Sequence, residues 1–124
     1  MAASWLANPH ETRIVLDRYG LATKHRLGQN FLVNDSVIGQ ILELAELEPN
    51  DFVLEIGPGI GTLTVALLPQ VARIVAVEAD KTLAPVLAQT CKKNASPLQL
   101  IWGAAVTIIP GQLRVIAPSI TKSV

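Results

Sequence analysis

Cysteine is almost absent from the chain. Its single example, Cys91, cannot form an internal disulfide framework or a cysteine zinc cluster. Aromatic residues make up 4% and charged residues 16% of the 124 positions, while half are hydrophobic. So little charge with so much apolar content excludes a disordered chain, and a mean hydropathy of +0.41 marks a sequence that buries a core. No apolar run reaches the roughly 18 residues of a membrane span. Arg73, Glu78 and Asp80 interrupt the longest apolar region. Met1 to Pro9 has neither the basic start nor the apolar length of a signal peptide. The mass of 13.3 kDa suits one domain. The expected setting is a reducing cytoplasm, with no membrane and no metal.

Acidic residues also vanish part-way along. Residues 81–124 hold five bases (Lys81, Lys92, Lys93, Arg114, Lys122) and no acid, whereas residues 29–80 hold eight acids against Arg73 alone. Residues 1–28 carry four bases and two acids. The net charge of zero therefore hides two basic ends around an acidic middle. Basic segments suit an RNA-facing surface and equally a solvated face. Any mechanism that needs a carboxylate after Asp80 is excluded.

The pattern divides into residues 1–28, a loose leader and basic segment, and residues 29–124, a partial domain. Residues 13–21 have the composition of a short helix, and Lys24-His25-Arg26-Leu27-Gly28 reads as a basic loop. Asn34-Asp35-Ser36 offers helix caps before Val37, Ile38, Ile41, Leu42, Ala45 and Leu47 at helical spacing, and Pro49-Asn50-Asp51 stops the element. The period then changes. Phe52 to Ile56, Arg73 to Glu78 and Leu98 to Trp102 are apolar, β-rich runs, and Leu113 to Ala117 is a fourth candidate. Helical stretches are expected between them, at Thr62 to Leu68 and Thr82 to Lys93. Near-continuous apolar strands alternating with helices predict an α/β fold with a parallel sheet.

The first strand runs into Gly57-Pro58-Gly59-Ile60-Gly61. Glycines there permit positive φ and let a ligand lie against the backbone. The spacing is not that of a dinucleotide loop, because Thr62 stands where the last glycine belongs and Pro58 removes a donor. Glu78 ends the second strand, 17 residues after Gly61. A carboxylate so placed can accept hydrogen bonds from both ribose hydroxyls of an adenosine, and is otherwise a solvated strand-end acid. Glu55, just before the loop, can hold loop amides, meet a cationic methionyl group, or cap the following helix.

These residues, with Gly28-Gln29-Asn30-Phe31-Leu32, resemble the KsgA-type ribosomal RNA adenine N6,N6-dimethyltransferases, relatives of the Erm methyltransferases. The likeness runs from about Arg13 to about Ile101. It rests most on that first motif, on Glu55-Ile56-Gly57-Pro58-Gly59-Ile60-Gly61-Thr62-Leu63-Thr64, and on Val77-Glu78-Ala79-Asp80. The resemblance implies a Rossmann-like domain that binds S-adenosyl-L-methionine, followed by a smaller helical domain that grips RNA. It implies methyl transfer to N6 of adenines in small-subunit, 16S-type rRNA, with the small ribosomal subunit as partner. Carried over by position, Asn30 and Leu32 line the methionine side of the cofactor, Gly57 and Gly59 pack beneath it, and Glu78 holds the ribose.

Two positions depart from the family pattern. Ala104, in Gly103-Ala104-Ala105, stands where the family's aspartate bonds the adenine amine. Of the family's catalytic Asn-Leu-Pro-Tyr, only Pro118 remains after the fourth strand. Without the asparagine there is no side-chain acceptor for the N6 hydrogens, and without the tyrosine nothing stacks on the extruded base. No catalytic residue is therefore assigned. The expectation is weak cofactor binding with little or no turnover, and the alternative is a non-catalytic cofactor- or RNA-binding remnant. An incomplete sheet also leaves an apolar edge, from which self-association is expected. Cys91 is expected as a buried small hydrophobe, and Trp5 and Trp102 as packing residues.

Overall fold

The computed structural model describes residues 2–21, 33–92, 97–102 and 113–116. Asn8 opens the first helix, α1 (Pro9–Arg18), by accepting from the backbone N–H groups of His10 and Glu11, and Pro9 occupies the first turn. The helix therefore starts four residues before the expected position. Helix α2 (Asp35–Ala45) is capped by Asn34 as the cap signal predicts, but it ends at Glu46 in a left-handed conformation, ahead of the expected stop at Pro49-Asn50-Asp51, so Leu47 lies outside it. Ile38 is its buried residue, and Ile41 and Leu42 lie partly buried against the core.

Residues 2–12, at the start of the expected leader and basic segment, are not loose. Leu6 is fully buried, Ser4 and Ala7 are nearly so, and Thr12 donates to the Leu6 carbonyl. Leu6, Ala7, Val15, Leu16 and Leu21 belong to one hydrophobic cluster with the central strands. The run Trp5-Leu6-Ala7 is too short to show a period, so its burial was invisible in the pattern. The expected division at residue 28 lies outside the described residues.

Four strands form one parallel sheet: β1 (Phe52–Ile56), β2 (Arg73–Glu78), β3 (Leu98–Trp102) and β4 (Leu113–Ile116), in the order β3-β2-β1-β4. All four were legible as β-branched, apolar runs. β2 is buried from Ile74 to Glu78, as a central strand covered on both faces should be. Phe52 pairs in register with Arg73 on one side and Leu113 on the other. The chain steps outward from β1 to β3 and then returns to the far side of β1. That reversal puts a topological switch point at the carboxyl end of β1, where open α/β sheets bind their ligands.

The connecting helices are shorter than the periodicity predicts. Helix α3 (Thr64–Leu67) passes at once into a 3-10 turn over Leu68–Gln70, where Pro69 supplies no N–H donor. A 3-10 turn over Lys81–Leu83, capped by Asp80, precedes helix α4 (Ala84–Thr90), with Pro85 in its first turn. Among the described residues no helix is long and apolar enough to cross a membrane.

Candidate functional site

Strand β1 ends in a loop whose three glycines all take positive φ: Gly57 at 72°, Gly59 at 62° and Gly61 at 98°. An L-residue side chain is disfavoured at each of those angles, which is the physical reason for the alternating glycines. The loop is fastened at several points. The Gly57 N–H donates to the Val77 carbonyl at 2.8 Å, extending the β1–β2 ladder by one bond. The Gly59 N–H donates to Glu78 Oε1 at 3.1 Å, and the Asp80 N–H donates to Glu78 Oε2 at 2.9 Å. Helix α4 reaches in from the other side, where Thr90 Oγ1 donates to the Ile60 carbonyl at 2.8 Å.

Glu78 was expected as a ribose acceptor at a strand end. The structure places it nearly buried, with one oxygen on the loop and one on the turn after β2. Each carboxylate oxygen has a second acceptor direction, so these two bonds leave Glu78 able to accept from ligand hydroxyls. Of the sequence readings of Glu55, the one in which it holds loop amides belongs instead to Glu78. Glu55 is fully buried, and its Oε1 accepts from Thr64 Oγ1 at 2.7 Å. Burial pushes the Glu55 carboxyl up to about 7; the Thr64 hydroxyl opposes that shift and the charge of Glu78 adds to it. Glu55 Oε2 and Thr62 Oγ1, which bracket the glycine loop in sequence, are buried without a hydrogen-bond partner among the described residues.

Glu78 thus offers a carboxylate that can accept from ligand hydroxyls beside the glycine loop, while Glu55 is fully buried. Asn30, Leu32 and Ala104 lie outside the described residues, as do Pro118 and the basic loop around His25. The structure therefore brings together Gly57, Gly59, Glu78 and Glu55 from the sequence expectations. It adds Thr64 and Thr90, whose partners lie 9 and 30 residues away. Cys91 is buried as expected, and burial pushes its thiol up to about 11, so it is not a reactive thiolate at neutral pH. Trp102 packs partly buried against the core, but Trp5 is half exposed. Among the described residues no group of His, Cys, Asp or Glu could hold a metal ion.

Residues 20–109 match the family described as Ribosomal RNA adenine dimethylase. The chain belongs to this family. Ribosomal RNA small subunit methyltransferase A of Leuconostoc mesenteroides is 45% identical over 87 residues, which cover 70% of this chain and 30% of that protein. The protein of the same name from Pelotomaculum thermopropionicum is 37% identical over 103 residues, covering 83% of this chain and 35% of that one. The chain thus spans about three-tenths of the length of the curated relatives it matches. Among solved structures, a dimethyladenosine transferase from Plasmodium falciparum superposes with a TM-score of 0.60 at 29% identity, over 68% of this chain and 31% of that one. The 23S rRNA methyltransferase ErmE gives 0.59 at 26% identity, over 72% and 40%. An RNA methyltransferase from Salinibacter ruber, solved in complex with S-adenosyl-L-homocysteine, gives 0.51 at 26% identity, over 57% and 48%. The fold is the Rossmann-like methyltransferase fold that the resemblance implied.

Proposed function

We propose that the chain carries the cofactor-binding part of an S-adenosyl-L-methionine-dependent methyltransferase acting on N6 of adenines in small-subunit rRNA, in the cytoplasm and on the small ribosomal subunit. One observation carries this reading: a positive-φ glycine loop at the sheet's switch point is tied by its central amide to a strand-end glutamate. The names of its relatives supply the substrate class. In this reading Gly57 and Gly59 give the cofactor a floor without side chains. Glu78 accepts from its ribose hydroxyls while keeping the loop closed. Asn30 and Leu32 line its methionine side, and Ala104 leaves its adenine amine without a carboxylate partner. When bound, the cofactor supplies an activated methyl group; the protein contributes orientation and exclusion of water.

Glu78→Ala tests the site. Losing charge-assisted hydrogen bonds to the ribose is expected to weaken S-adenosylhomocysteine binding by roughly 10- to 150-fold. Isothermal titration measures it, and an unchanged affinity would remove Glu78 from the site.

Pro118 and Ala104 favour a second reading, a non-catalytic remnant that keeps the cleft and has lost the chemistry. Methyl transfer from labelled cofactor to small-subunit rRNA separates the two. Turnover by the chain identifies the enzyme, and cofactor binding without turnover identifies the remnant. We further propose self-association through the sheet edge. Among the described residues β3 and β4 are the outer strands, each paired on one side. Light scattering at high protein concentration is expected to give a dimer or larger species, and a clean monomer would contradict it.

A further inference from the structure

The amino-terminal strap reaches the glycine loop through one residue. Ser4 lies in no helix or strand, yet it is only 3% exposed. Its backbone N–H donates to Asp35 Oδ1 at 2.7 Å, and the Ala3 N–H donates to Asp35 Oδ2 at 3.0 Å. Its hydroxyl turns the other way and donates to the Thr62 carbonyl at 2.6 Å, across 58 residues of sequence and in a buried setting. Asp35 is the first residue of α2, and Thr62 is the residue after the last glycine of the loop. The two strap N–H groups, that of Ser4 first, hold the Asp35 carboxyl below its ordinary value.

The Thr62 carbonyl is a specific target. In a regular helix it would accept from Ala66, but Ala66 donates instead to Leu63 at 3.0 Å. The start of α3 is thus wound tightly, and the carbonyl it releases is taken by Ser4. At the other end of the clasp, Asp35 follows Leu32 by three residues in the chain. The clasp therefore ties the exit of the glycine loop to the helix that follows the Asn30–Leu32 motif.

We propose that Ser4 and Asp35 are positioning residues for the cofactor cleft, fixing the Thr62 carbonyl so that the glycine loop is held in its binding conformation. The proposal rests on the cofactor reading above. A strap that merely adds core contacts would contribute to stability alone. A clasp on the loop exit contributes to ligand affinity and to the protection of the loop amides, because a flexible loop must be ordered again each time the ligand binds.

The test uses the full chain and its Ser4→Ala, Asp35→Asn and doubly substituted variants, titrated with S-adenosylhomocysteine well below their melting temperatures. Amide exchange is measured on the same ligand-free proteins. Each single substitution is expected to raise Kd by about 5- to 10-fold, and the double variant by less than the product of the two. Exchange at the Gly61 and Val65 amides, which donate to Pro58 and Gly61, should accelerate while Val75 and Val77 in β2 stay protected. Affinities within twofold of the parent, with a lowered melting temperature, would make the strap purely structural and overturn the proposal. If the parent itself binds no S-adenosylhomocysteine, the cofactor reading fails. The exchange data then decide the clasp alone: unchanged Gly61 and Val65 overturn it, and selective acceleration upholds its hold on the loop.

Discussion

Gly61→Ala is expected to destabilise the chain by about 2–6 kcal/mol, a large share of a small domain's stability. Two effects add. At φ 98° an alanine is strained by about 1–3 kcal/mol. Its Cβ would also meet Thr90 Oγ1 at 2.8 Å, Cys91 Sγ at 3.2 Å and Leu87 Cδ2 at 3.3 Å. Those contacts come from the end of α4, which packs against the loop, and relieving them displaces the hydroxyl that holds the Ile60 carbonyl. Overpacking of that kind costs about 1–3 kcal/mol more. Urea unfolding measures the loss. Gly39→Ala is the matched control, because Gly39 lies inside α2 with nothing within 4 Å of an added Cβ. There the substitution is expected to stabilise by about 0.5–1 kcal/mol. Equal effects at the two positions would mean that helix α4 does not press on the loop.

Glu55→Gln is expected to change the pH dependence of stability. In the folded chain burial lifts the Glu55 carboxyl from its ordinary 4.5 to about 7, against the Thr64 hydroxyl and with the help of Glu78. Between those values the folded state holds a proton that the unfolded state releases. Stability therefore falls as pH rises from 4.5 through 7, by on the order of 3 kcal/mol, and levels off above. Glutamine cannot titrate. Whatever constant change the amide introduces beside Thr64, the variant should gain about 3 kcal/mol relative to the parent between pH 4.5 and pH 8. Urea unfolding of both proteins at the two pH values reads this double difference. A difference that does not vary with pH would show that Glu55 is ionised throughout.

The sheet was legible because central parallel strands leave a strong trace: Val53, Ile74, Val75, Ala76 and Val77 are all buried, and the sequence can satisfy that only with continuous apolar runs. The glycine loop was legible because three positive-φ positions leave a spaced trio of glycines. The helices are shorter than the apolar spacing implies where Pro69 and Pro85 divide helical stretches into short α segments and 3-10 turns. Asn8-Pro9 signals the start of α1, but its buried apolar residues, Val15 and Leu16, come only in the second turn, so the apolar pattern starts later than the helix. The bonds that shape the site were not legible at all. Ser4 to Thr62, Thr90 to Ile60 and Thr64 to Glu55 each join a small hydroxyl to a partner fixed by the fold. A buried serine or threonine has the same sequence signature whether it satisfies its own helix or another element.

In the proposed function the loop from Gly57 to Gly61, with Glu78, forms an S-adenosyl-L-methionine cleft. Amide chemical-shift mapping of the chain with S-adenosylhomocysteine tests it most directly, with NADH as the competitor. The expected result is saturable shifts centred on Gly57, Gly59, Glu78 and Asp80 that NADH does not reproduce. Shifts confined to other residues, or an equal response to NADH, would contradict the claim.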